Sequence, residues 1–79
     1  MKAKVFVTLK PGVLDPQGQA VARALGRLGF AEVKDARIGK YIEMQLDDGV
    51  KDPDAHVKQM CEKLLANTVI EEYRYEILK

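Results

Sequence analysis

An α+β fold, an antiparallel sheet with two helices in β-α-β-β-α-β order, is what this 79-residue sequence predicts. Two observations carry the prediction. Apolar residues alternate with polar ones near both ends and in the middle, and between these runs they recur twice at helical spacing. Each helical stretch also opens on the same dipeptide, Asp15-Pro16 and Asp52-Pro53. The aspartate can accept a hydrogen bond from a free first-turn N–H. Proline at the first helical position gives up a donor that had no partner anyway.

The first strand covers Ala3 to Leu9, with Ala3, Val5, Val7 and Leu9 on one face and Lys4, Phe6 and Thr8 on the other. The first helix runs from about Pro16 to Leu28, and Ala20, Val21, Ala24, Leu25 and Leu28 form its core stripe. Gly29 supplies a left-handed stop, and Phe30 folds back onto the helix end. Val33 to Ile38 reads as the second strand and Tyr41 to Leu46 as the third, joined by a tight Gly39-Lys40 hairpin with glycine at a position of positive φ. Ile42, Met44 and Leu46 face the core, and Asp47-Asp48-Gly49 turns the chain. In the second helix Val57, Met60, Cys61, Leu64 and Leu65 mark the buried face, with Asn67 as its C-cap. The last strand is Val69 to Leu78, with Tyr73, Tyr75 and Ile77 on one face and Glu72, Arg74 and Glu76 on the other.

Size and composition bound the function. The chain is read as one domain over residues 1–79. A domain this short buries only about 60% of its unfolded surface, so a partner or a second copy would help it. One cysteine allows no internal disulfide, which fits a reducing, cytoplasmic setting. The net charge of +1 argues against a dedicated polyanion binder, and no apolar run approaches the roughly 18 residues of a membrane span. No nucleic-acid or membrane partner is expected.

Catalytic chemistry finds no foothold. The sequence has no serine, and His56 and Cys61 are its only imidazole and thiol, too few for a structural zinc. A thiol nucleophile needs an exposed, electropositive pocket, yet Cys61 sits on the apolar stripe. Lys10, Arg37 and Lys40 could form a small anion site or could be ordinary solvated charges at strand ends. Tyr41, Tyr73 and Tyr75 lie among glutamates that would repel phosphate, so RNA recognition is not expected. Gly18, Ala22 and Gly26 recur every fourth residue beside the apolar stripe of the first helix, as a close-approach face or as tolerated small residues.

The run Leu9-Lys10-Pro11-Gly12-Val13-Leu14-Asp15-Pro16-Gln17-Gly18, followed by Leu28-Gly29-Phe30, Val33, Arg37 and Gly39-Lys40, closely resembles the PurS family over nearly the whole chain. That resemblance implies a non-catalytic subunit of phosphoribosylformylglycinamidine synthase, an ATP- and glutamine-dependent ligase of purine biosynthesis. It implies a homodimer or higher oligomer, with the sheet of one chain completed by strands of the other. It also implies partners: a large, PurL-like synthetase subunit that uses ATP and Mg, and a PurQ-like glutaminase, bridged so that ammonia passes between them. No cofactor is expected in this chain. The candidate partner interface is Lys10, Pro11, Gly12, Leu14, Asp15, Pro16, Gly18, Arg37, Gly39 and Lys40. The competing reading is an ACT-like regulatory module, whose members also carry Pro-Gly-x-Leu after the first strand, as Pro11 to Leu14 does here.

Overall fold

A computed structural model describes all 79 residues. Strand β1 (Lys2–Leu9) leads to helix α1 (Pro16–Arg27), strand β2 (Gly39–Gln45), helix α2 (Pro53–Met60, continuing as a π turn over Cys61–Leu65) and strand β3 (Glu71–Leu78). The sheet is antiparallel with β1 in the centre, in the order β2-β1-β3. The register pairs Val5 with Ile42 on one side and with Tyr75 on the other.

The expected faces of the sheet hold. Ala3, Val5 and Val7 are buried beneath α2 with Val57, Cys61 and Ala66, and Ile42, Met44, Leu46, Tyr73, Tyr75 and Ile77 pack around them. Removing these side chains from water is the main term holding sheet and helix together.

Five local expectations are corrected. Residues 33–38 form no strand, so the described chain has three strands and not four. The Ile38 N–H donates to the Asp15 carboxylate at 2.8 Å and not to a neighbouring strand. Gly39 opens β2 and has no positive φ; only Gly12 and Gly29 do among the glycines. What Gly39 requires is room, since a methyl there would strike the Val7 carbonyl oxygen of β1. Leu64 is 83% exposed, not buried. The π turn closes with Ala66 N–H on the Cys61 carbonyl at 2.9 Å, and the wider turn brings Leu65 and Ala66 under the helix in place of Leu64. Finally, α2 is capped by Ala66 in an extended conformation, and Asn67 instead organises the next turn, its side chain accepting from Val69 N–H at 3.2 Å. Strand β3 accordingly begins at Glu71 and not at Val69.

Helix α1 has no such cover. Only Gly18 along its length is buried; Val21 is 39% exposed and the helix ends at a Leu28 that is 73% exposed. Gly29, at φ 102, stops it in the left-handed region, and the Phe30 N–H returns to the Leu25 carbonyl at 2.9 Å. The chain is drawn out to 50 × 26 × 14 Å with a radius of gyration of 16.0 Å, where a compact domain of this length would have about 12 Å.

Candidate partner interface

The ten candidate residues gather at one end of the sheet, where β1 ends and β2 and β3 begin. Lys10 follows β1 and donates its N–H to the Ile70 carbonyl at 2.8 Å, just before β3. Thr8 pairs with Gly39 across the β1–β2 ladder. Pro11, Gly12, Leu14 and Pro16 stand exposed on the loop, with Leu14 at 64%, and Gly12 takes the positive φ of 88° that its turn demands.

Asp15, Gly18 and Arg37 have a different place. Asp15 is 4% exposed and its carboxylate accepts from Gly18 N–H and Ile38 N–H, both at 2.8 Å. These two backbone bonds, the Ile38 one first, together with the nearby Arg37 charge, hold its carboxyl below the usual carboxylate range. The Arg37 guanidinium donates to the carbonyls of Val13 at 3.2 Å, Leu9 at 3.3 Å and Lys10 at 3.2 Å, with its Nε 4.0 Å from Asp15. At Gly18 a methyl group would collide with the Ala36 carbonyl oxygen. These three residues tie the β1–α1 loop to the α1–β2 segment from within.

Of the two readings of Lys10, Arg37 and Lys40, the anion site finds no support in the placement of Arg37 and Lys40. Arg37 turns its donors onto backbone carbonyls, and Lys40 donates to the Leu65 carbonyl at 3.3 Å. No three His, Cys, Asp or Glu side chains come together as metal ligands. Burial, and then the Glu62 charge, push the Cys61 thiol up, which disfavours the thiolate that a nucleophile would need. Gly26 faces open space within its own chain.

One cluster escaped the sequence reading. On the outer face of the sheet the Arg74 guanidinium lies 4.0 Å from the centre of the Phe6 ring, and Phe6 lies 5.1 Å from the Tyr41 ring. The register opposes Phe6 to Tyr41 on one side and to Arg74 on the other. Gly39 and Lys40 border the same shallow depression. Period-two alternation put all three outward; only the register of pairing makes them neighbours.

A family model described as "PurS: Phosphoribosylformylglycinamidine (FGAM) synthase" matches residues 2–79. The chain belongs to the PurS family. The Bacillus subtilis PurS subunit of phosphoribosylformylglycinamidine synthase is 59% identical over 76 residues, covering 96% of this chain and 90% of that one. A crystal form of Bacillus subtilis PurS superposes with a TM-score of 0.89 at 58% identity, covering 99% of this chain and 98% of that one. A structure of PurLQS from Thermotoga maritima contains a chain that matches with a TM-score of 0.85 at 35% identity, covering 98% and 95% respectively. Family membership makes this a chain of the phosphoribosylformylglycinamidine synthase system of purine biosynthesis, and it decides against the ACT-like module.

Proposed function

We propose that residues 1–79 act as one non-catalytic subunit of a phosphoribosylformylglycinamidine synthase, joining a PurL-like synthetase, which consumes ATP with Mg, to a PurQ-like glutaminase in the cytoplasm. The observation that carries this is the near-complete match to a chain of the Thermotoga maritima PurLQS assembly. The chemistry explains the need for a joining subunit. Ammonia released into neutral water is mostly protonated and then has no lone pair for attack, so it must travel within a closed contact. The exposed Lys10 to Leu14 loop, with Gly39 and Lys40, supplies a stiff docking surface, because ordered loops lose little entropy on binding.

The same reading includes a homodimer. The bare stripe of α1 and the unladdered residues 33–38 are what a second copy would cover, and the sheet edges β2 and β3 are open to pairing. No helix is long and apolar enough to cross a membrane.

The test is reconstitution with the synthetase and glutaminase subunits. Glutamine-dependent amidine formation should require this chain, while activity with added ammonium salt should persist without it. Equal glutamine-dependent rates with and without the chain would refute the joining role. Loss of glutamine-dependent activity in a Leu14→Asp, Lys40→Glu double variant would locate the docking loop.

A further inference from the structure

We infer that Arg37, Asp15 and Gly18 form a clamp that aims α1, and that Arg37 is a positioning residue for self-assembly. The inference rests on the dimer reading above and adds to it the device that presents the helix. Helix α1 makes no sustained contact with the strands or with α2. Its direction is therefore set at its base. There the three residues act on both chain segments that flank the helix. Arg37, after α1, grips the carbonyls of Leu9, Lys10 and Val13, before it. Asp15, before α1, accepts from Gly18 inside it and from Ile38 beyond it. Gly18 lets the Ala36 carbonyl approach the first turn.

The geometry makes this base a lever. The 12 residues of α1 extend about 18 Å at 1.5 Å per residue, so a 10° error at the base moves the far end by about 3 Å. Close-packed interfaces do not absorb such a shift, since packing contacts fade within about 1 Å. A loosened clamp thus spreads Leu25 and Leu28 over positions from which only some can engage a partner, and the apparent affinity falls by the competent fraction. None of the clamp residues needs to touch the second copy for this to hold.

The experiment separates aim from fold. Spin labels at Arg27→Cys and Gln45→Cys, both exposed, report the distance from the end of α1 to the sheet, with labelled chains diluted into unlabelled ones. Sedimentation velocity over a concentration series reports the dimer dissociation constant. The unsubstituted clamp should give one narrow distance. Arg37→Ala should broaden it and raise the dissociation constant at least tenfold, with far-UV circular dichroism retained. Should Arg37→Ala not fold, Arg37→Lys serves, because one ammonium cannot bridge three carbonyls; it should shift both readouts the same way. An unchanged distance width, or a dissociation constant within threefold of the unsubstituted protein, overturns the clamp. A chain that sediments as a monomer at every concentration overturns the dimer reading instead, while the distance width still judges the clamp.

Discussion

The two helices begin alike and end in opposite circumstances. Both start on Asp-Pro, with the aspartate accepting from the N–H three residues on, Gly18 for Asp15 and Ala55 for Asp52. Helix α2 lies on the sheet, with Val57 and Cys61 fully buried against Ala3, Val5 and Val7. Helix α1 also carries an apolar stripe, but it packs on neither the sheet nor α2, and Ala20, Val21, Ala24 and Leu28 of the stripe are exposed. Amphipathic periodicity therefore says that a helix will bury a face, and it does not say in which chain. On the dimer reading proposed above, the α2 half is a folding unit and the α1 half an assembly unit.

The sharpest way to break that comparison is one charge on each stripe. Val57→Asp places an unpaired carboxylate in the core, a class of change that costs about 4 kcal/mol or more against a total stability of about 5–15 kcal/mol. It should abolish the cooperative thermal transition. Leu25→Asp, at the half-buried centre of the α1 stripe, should leave the chain folded and shift sedimentation from dimer to monomer, with a dissociation constant raised a hundredfold or more. If Leu25→Asp also unfolds the chain, α1 is part of the folding unit and the contrast is wrong.

That division also explains how much could be read in advance. The α2 half was legible because its signals are local and are satisfied locally: alternation placed Ile42, Met44, Tyr73, Tyr75 and Ile77 correctly around the core. Leu64 was misplaced because nothing in its pattern announces a π turn. The expected strand over residues 33–38 failed for a different reason. Its last N–H, that of Ile38, is taken by Asp15 across 23 positions of sequence, a contact that periodicity cannot register. The same holds for Arg37, whose three carbonyl partners lie 24 to 28 positions away. Asp15 and Gly18 carry a local signal, the helix start, but their burial beneath the exposed loop depends on the distant Ala36 and Ile38 and has no local signal.

A smaller effect probes the start of α1 by pH. The folded state holds the Asp15 carboxyl below its ordinary value. The unfolded chain therefore binds its proton first as pH falls, and stability is lost between about pH 5 and pH 2. Asp15→Asn keeps an acceptor for one N–H but no charge and no second anionic oxygen. It should lower the melting temperature at pH 7 by roughly 5 °C, and the gap should close as pH falls toward 2. Glu43, hydrogen-bonded to Tyr41 and Lys2, and Asp48, bonded to the N-terminal ammonium, are also held low and should leave a residual acid slope. A gap that stays constant from pH 7 to pH 2 would remove the Asp15 charge from the account.

The smallest expected effect tests whether the α2 half has a tie comparable to the Arg37 clamp. Tyr73 on β3 donates its hydroxyl to Glu62 in the π turn at 2.9 Å. Burial first, and then that bond to an anion, push the phenol up to about 12. The folded state thus keeps a proton that the unfolded chain gives up near pH 10, and the stability this represents is present below pH 10 and lost as pH rises toward 12. Tyr73→Phe removes the titration and the bond together. Near pH 7 its melting temperature should stay within about 2 °C, because an exposed neutral-to-anion bond adds little beyond solvation. Above pH 10 the variant should lose stability less steeply than the parent, with Tyr41 and Tyr75, both raised as well, supplying the slope that remains. Identical alkaline slopes would mean that the sheet holds α2 through its buried apolar face alone, and that only the α1 half depends on polar ties for its placement.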